Sequence, residues 1–281
     1  MNKTLVILIA AASFGLGANA ALAQVTAPAD AAGAYPAPAV TKPPVDTPQR
    51  VLFVGNSLMY YSGGLQTHTH RMAFAQDPKL ESIRAGFKSV HITSAPVDQY
   101  PIDHMLTPGN LGIKEPFQVV LLAGSSRDAT RPEGVAVYRQ KVREFDAAAK
   151  KVGAKLALIW LQTMVVKPGG WDEAMYKANG EMVMAAANEV GAYVIPLGPA
   201  FKEAYRQRPD IQLQMDYDGY HATVAGQYLS SAIVFEALYG RSIVGNSYTY
   251  FGALDKDTAA FLQKVAHETV EKFYAQKTAQ K

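Results

Sequence analysis

The chain has 281 residues, 49% of them hydrophobic and 18% charged, and its 27 Lys and Arg against 24 Asp and Glu give a formal charge of +3. It contains no cysteine, which excludes a disulfide, a thiolate nucleophile, a zinc–thiolate centre and lipid attachment through a cysteine. No stretch concentrates Lys and Arg on one face, and this argues against nucleic acid as a partner, because such binding is carried by phosphate neutralisation.

In chain order, residues 1–23 read as a secretory signal peptide. Lys3 supplies a positive start, an apolar stretch runs from Leu5 to Gly17, and Ala21-Leu22-Ala23 suits cleavage before Gln24. The apolar stretch is shorter than the ~20 residues of a membrane span. The expectation is therefore a periplasmic or secreted protein with no integral membrane span after processing. Residues 24–48 carry Pro28, Pro36, Pro38, Pro43, Pro44 and Pro48 without apolar periodicity, which predicts a disordered tether. A single domain is expected over 49–276 and a disordered tail over 277–281.

Within the domain, short apolar runs predict strands at 50–54, 89–94, 117–123, 155–161 and 192–196. Helical spacing predicts helices near 66–76, 135–151, 172–190, 222–239 and 256–275. In the 135–151 segment Tyr138, Val142, Phe145 and Ala149 share one face, Lys150 and Lys151 suit the C-terminal end, and Gly153 follows as a stop. This alternation predicts an α/β domain with a parallel sheet of about five strands, covered on both faces.

Two motifs, 164 residues apart, carry the chemistry. Gly55-Asn56-Ser57-Leu58 follows the strand Arg50–Val54, so Ser57 should lie at the strand's C-terminal end, where open α/β sheets form ligand crevices. Asp218-Gly219-Tyr220-His221 precedes a helical pattern through Val224, Ala225, Tyr228 and Leu229, which places His221 at a helix N-terminus. There the dipole would favour a neutral ring able to take the proton of Ser57, with Asp218 fixing the tautomer. Asp216, two residues earlier, is a competitor for the aspartate role.

These blocks resemble the first and last blocks of the SGNH (GDSL-type) hydrolase superfamily over roughly residues 49–276. The resemblance implies a flavodoxin-like three-layer α/β/α fold, a serine nucleophile (Ser57), a histidine base (His221) and an aspartate partner (Asp218). It implies no cofactor and no metal. The middle blocks depart from the family. Its third block, Gly-x-Asn-Asp, is here Gly124-Ser125-Ser126-Arg127, so Ser126 stands where the family has its oxyanion-binding asparagine. Loss of one such donor typically costs about 2.7–4 kcal/mol in the barrier. The second block normally offers a glycine N–H; here Ala95-Pro96-Val97 follows the strand, and Pro96 has no N–H to give. The expected oxyanion donors are the N–H of Ser57, Ser126, and the backbone of Val97 or Ala95.

Five aromatics near the motifs, Tyr60, Tyr61, Trp171, Tyr217 and Tyr220, are candidates for a substrate platform, with Tyr60 and Tyr220 favoured by their closeness to the motifs. Arg127 reads as a solvated charge. His68 and His70 invite a metal reading, but on a helix residues i and i+2 point about 200° apart and no acidic partner follows at zinc-site spacing. The resemblance implies a secreted serine esterase acting through an acyl-serine on a small O-acyl ester, acetyl-like, of a small molecule or polysaccharide. Two other readings stay open: a non-catalytic glycan- or envelope-binding domain with a decayed oxyanion hole, and an O-acyltransferase using the same triad.

Overall fold

The computed structural model describes residues 24–30, 35–125, 127–166 and 170–276. The expected signal peptide, the tail at 277–281 and Ser126 lie outside the described residues. Five strands form one parallel sheet: β1 (Val51–Gly55), β2 (Phe87–His91), β3 (Val119–Ala123), β4 (Lys155–Trp160) and β7 (Tyr193–Pro196). Their order is β2-β1-β3-β4-β7. Central strands of a sheet covered on both faces must be apolar on both. Accordingly Val51 to Val54 of β1 and Val119 to Leu122 of β3 are fully buried, each such side chain contributing about 1.5–3 kcal/mol. The register pairs Val51 with both Phe87 and Val119. The chain passes from β1 outward to β2, then crosses to the other side of β1 for β3. The carboxyl ends of β1 and β3 therefore form the switch point where such sheets bind ligands.

Helices α5 (Pro132–Lys151) and α6 (Glu173–Val190) pack together on one face. On the other lie α2 (Leu65–Gln76), α7 (Leu197–Gln207), α8 (Val224–Tyr239) and α9 (Lys256–Tyr274), with α8 packed against each of the other three. The short helices α1 (Ser57–Tyr60), α3 (Ile83–Gly86) and α4 (Ile102–Leu106) and an antiparallel hairpin, β5 (Val165–Val166) with β6 (Gly170–Trp171), complete the elements. Helix α7 is an addition to the sequence expectation. Gly198 and Pro199 read as breakers, yet Pro199 stands in the helix's first turn, where a missing N–H costs no intrahelical bond. Among the described residues no helix is long and apolar enough to cross a membrane.

The segment expected to be a free tether is packed against the domain over its described length. Val25 donates its N–H to the Pro209 carbonyl at 2.7 Å, and its side chain is buried. Asp30 accepts from Lys202 Nζ at 2.6 Å and from the Tyr176 hydroxyl at 2.7 Å. Tyr35 stands edge-on to Trp160 at 4.6 Å. Asn188 bonds both the Ala37 carbonyl and the Ala39 N–H, at 3.0 and 2.8 Å. Lys202 is only 3% exposed and is paired with Glu173 as well as Asp30; a buried cation of this kind needs such partners to offset its desolvation.

Candidate active site

The serine side is built by local chemistry at the end of β1. At Gly55 a Cβ would meet Met59 Sδ and press on the Ala123 methyl, so a larger residue there would have to displace the Met59 side chain. Asn56 caps α1: its Oδ1 accepts the Leu58 N–H at 3.2 Å. Its Nδ2 donates to the Gly124 carbonyl at 3.2 Å, tying the ends of β1 and β3 together. Ser57 is then the first helical residue, buried to 8% exposure, with a backbone N–H that has no partner within the helix.

The histidine and aspartate come from a folded-back loop before α8. The Met215 N–H bonds the His221 carbonyl and the Gly219 N–H bonds the Met215 carbonyl, both at 2.8 Å. The Val165 N–H reaches the Gly219 carbonyl at 2.8 Å. Gly219 has φ of 64°, and a Cβ there would strike the Val165 carbonyl oxygen. Only glycine lets the hairpin and this loop approach so closely. Asp218 Oδ1 accepts the N–H groups of Tyr220 and His221 at 2.8 and 3.1 Å. Its Oδ2 lies 2.6 Å from His221 Nδ1, and His221 Nε2 lies 2.8 Å from Ser57 Oγ. Burial alone would raise the Asp218 carboxyl, but the hydrogen bonds from the imidazole and the two N–H groups outweigh it and hold the group below the usual carboxylate range. An ionised Asp218 accepts the hydrogen bond from Nδ1–H, so Nε2 is left as acceptor for the Ser57 hydroxyl.

Two expectations about this loop are refined. Helix α8 begins at Val224 with Thr223 as its cap, so His221 stands two residues before the cap rather than at the helix N-terminus, and the expected contribution of the helix dipole to keeping the ring neutral is weakened. Asp216 accepts from Gln212 Nε2 at 2.7 Å, and the imidazole contact falls to Asp218.

The oxyanion candidates divide. Val97 opens a single 3-10 turn, Val97–Gln99, after Pro96. The Ala95 N–H is donated to the Ile92 carbonyl at 3.2 Å and so is committed within its own turn. Sequence reasoning missed Asp128, a buried carboxylate that accepts the Ser125 N–H at 3.1 Å and so shapes the loop after β3. Burial raises its carboxyl, against the pull of that N–H and of Arg131. Arg127 is exposed.

The aromatics are sorted by packing. Tyr220 stands edge-on to His221 at 5.7 Å and so borders the site, whereas Tyr60 bonds Thr93 Oγ1 through its hydroxyl at 2.8 Å and stacks beside Tyr61 at 5.8 Å. Trp171 does not: it is 9% exposed, packed on Tyr176 and Tyr205, with Nε1 donating to Glu173 at 3.1 Å. The β5–β6 hairpin turns it inward, and it is a core residue. Tyr61, named with the platform but outside the favoured pair, lies flat on the His221 ring, 3.8 Å between centroids and tilted 16°. It neighbours Tyr217, which is 71% exposed. Its place four residues after Ser57 was the available signal. His68 is held by Tyr248 and Ser62, and His70 lies 3.8 Å from Glu81. Among the described residues no group of three or more metal-ligating side chains occurs.

No protein-family model matches the sequence, and no curated protein matches it. Solved structures do match. A DUF4886 family protein from Bacteroides uniformis aligns with a TM-score of 0.64 at 16% identity, over 82% of this chain and 97% of that one. A protein from Slackia heliotrinireducens assigned to the SGNH hydrolases gives a TM-score of 0.51 at 20% identity, over 67% and 98%. A variant of an acetyl xylan esterase from Geobacillus stearothermophilus gives 0.51 at 16%, over 75% and 99%. The chain has an SGNH/GDSL-type three-layer α/β/α fold.

Proposed function

We propose that the protein is a serine esterase that hydrolyses a small O-acyl ester, acetyl-like, carried by a carbohydrate. The observation that carries this reading is the Ser57–His221–Asp218 relay, with contacts of 2.8 and 2.6 Å at the switch point of the sheet. In the proposed reaction His221 Nε2 takes the Ser57 proton as Oγ attacks the ester carbonyl, and Asp218 stabilises the imidazolium. The Ser57 and Val97 N–H groups and Ser126 receive the oxyanion. His221 then protonates the departing alcohol, and a water activated by the same ring hydrolyses the acyl-serine. The fold shared with an acetyl xylan esterase supports both the ester and the carbohydrate. Export to the periplasm or the exterior is part of the proposal and rests on the amino-terminal sequence alone.

The test is release of p-nitrophenol from p-nitrophenyl acetate and longer esters by residues 24–281. Ser57→Ala and His221→Ala should each lower kcat by about 10⁴-fold or more while leaving the fold intact. Wild-type turnover in either variant would remove that residue from the mechanism. One observation favours a second reading, a glycan-binding domain: Ser126 replaces the family's asparagine, and the second block lacks its glycine. A folded wild type inert toward every ester, yet retained by an acetylated xylan, would establish that reading instead.

A further inference from the structure

The turn that follows the nucleophile is strained, and what it holds is the ring over the base. Tyr61 leaves α1 in an extended conformation, and Ser62 after it is left-handed, at φ of 53° and ψ of 38°. A non-glycine residue there costs free energy and persists only where its surroundings over-determine it. Here they do. Ser62 Oγ donates to the Ala222 carbonyl at 2.9 Å, one residue beyond His221. The Ser62 carbonyl accepts from the Tyr250 hydroxyl and from His68 Nε2, the latter at 3.1 Å. His68 Nδ1 in turn accepts from the Tyr248 hydroxyl at 2.7 Å. Tyr250 and Phe251, in the loop that supplies this support, are themselves left-handed, at φ of 59° and 57°. Three strained residues thus converge on one turn, and the turn fixes Tyr61 against His221.

The bonds from Nδ1 to Asp218 and from Nε2 to Ser57 lie in the plane of the imidazole and resist tilting of that plane only weakly. The Tyr61 face, parallel to within 16° at 3.8 Å, supplies the missing constraint. From this geometry we infer that Tyr61 is a positioning residue for the general base, and that the Ser62 turn with its His68–Tyr250 support exists to hold it there. The stacking face needs only the ring, not the hydroxyl.

The kinetic arm of the test rests on the esterase reading; the spectroscopic arm does not. Tyr61→Ala should lower kcat on p-nitrophenyl acetate by roughly 10–100-fold with KM changed less than about threefold, the signature of a misplaced catalytic group. Tyr61→Phe, which keeps the ring, should restore turnover to within about threefold of the wild type. Tyr61→Leu, which keeps bulk without a flat face, should behave like Tyr61→Ala and serves if the alanine variant does not fold. Independently of any substrate, the low-field proton NMR resonance of His221 Nδ1–H, identified by its absence in His221→Gln, should be sharp in the wild type and Tyr61→Phe and exchange-broadened in Tyr61→Leu. An inert wild type that shows this spectral pattern would sink the esterase reading and leave the positioning role standing. An active wild type whose Tyr61→Leu variant matches it in kcat and in the resonance overturns the positioning role.

Discussion

His221 and His68 each lie flat against a tyrosine: His221 on Tyr61 at 3.8 Å and 16°, His68 on Tyr250 at 3.8 Å and 14°. The stacking is nearly identical, and the difference lies in the two ring nitrogens. His68 spends both on protein partners, Tyr248 and the Ser62 carbonyl, and its side chain is buried. Burial lowers it to about 4, so it is neutral and structural. His221 spends only Nδ1, on Asp218, and aims Nε2 at the Ser57 hydroxyl from a side chain that is 19% exposed. An aromatic clamp on a histidine is therefore neutral as to role. What separates a base from a brace is one uncommitted nitrogen facing a nucleophile at an accessible edge.

The largest effect should come from turning the first histidine toward the second's condition. Asp218→Asn preserves shape but favours the wrong tautomer, and kcat should fall by up to about 10⁴-fold with little change in melting temperature. Loss of stability in step with activity would mean that Asp218 is mainly a loop anchor. Next, His68→Ala removes a buried ring, takes one of two donors from the Ser62 carbonyl and the acceptor from the Tyr248 hydroxyl, which should cost about 2–4 kcal/mol of stability. Its turnover should fall far less than that of Asp218→Asn. A melting temperature equal to the wild type's would remove His68 from the brace. The smallest effect is on pH dependence. His68 and His91 are both lowered by burial from 6.5 to about 4, so between these values the unfolded chain binds more protons than the folded one. Stability should then be lost as pH falls from about 6.5 to about 4. In His91→Asn, thermal melts across that window should show a shallower slope than the wild type's; an unchanged slope would exclude His91 as a contributor.

Legibility in the sequence followed the range of the interactions involved. Gly55-Asn56-Ser57 was readable because strand, tight turn and cap are consecutive, and Asp218 and His221 because the aspartate reaches a ring three residues on. Four of the five strands were readable because buried parallel strands are continuous apolar runs; the edge strand β2, Phe87-Lys88-Ser89-Val90-His91, is mixed and partly exposed, and the expectation of 89–94 put it two residues late. The amino-terminal segment was not: its Ala and Pro residues carry no period, and single long-range bonds hold it, Asp30 to Lys202 and Asn188 to Ala37 and Ala39. Trp171 was misplaced because a position after β4 says which edge a residue is near, whereas the β5–β6 hairpin decides which way it points. Tyr61 was hidden for a related reason. Its neighbour Tyr60 has the same chemistry and proximity, and only the left-handed Ser62 determines which of the two rings covers His221.

The relay of Ser57, His221 and Asp218 is most directly tested by stoichiometric labelling with a fluorophosphonate, followed by mass analysis of the peptide that carries Ser57. The reagent reacts with an activated serine rather than a merely exposed one. The account predicts one adduct per wild-type chain, located on Ser57, and none in His221→Ala. A folded wild type that remains unlabelled, or an adduct that persists in His221→Ala, would contradict it.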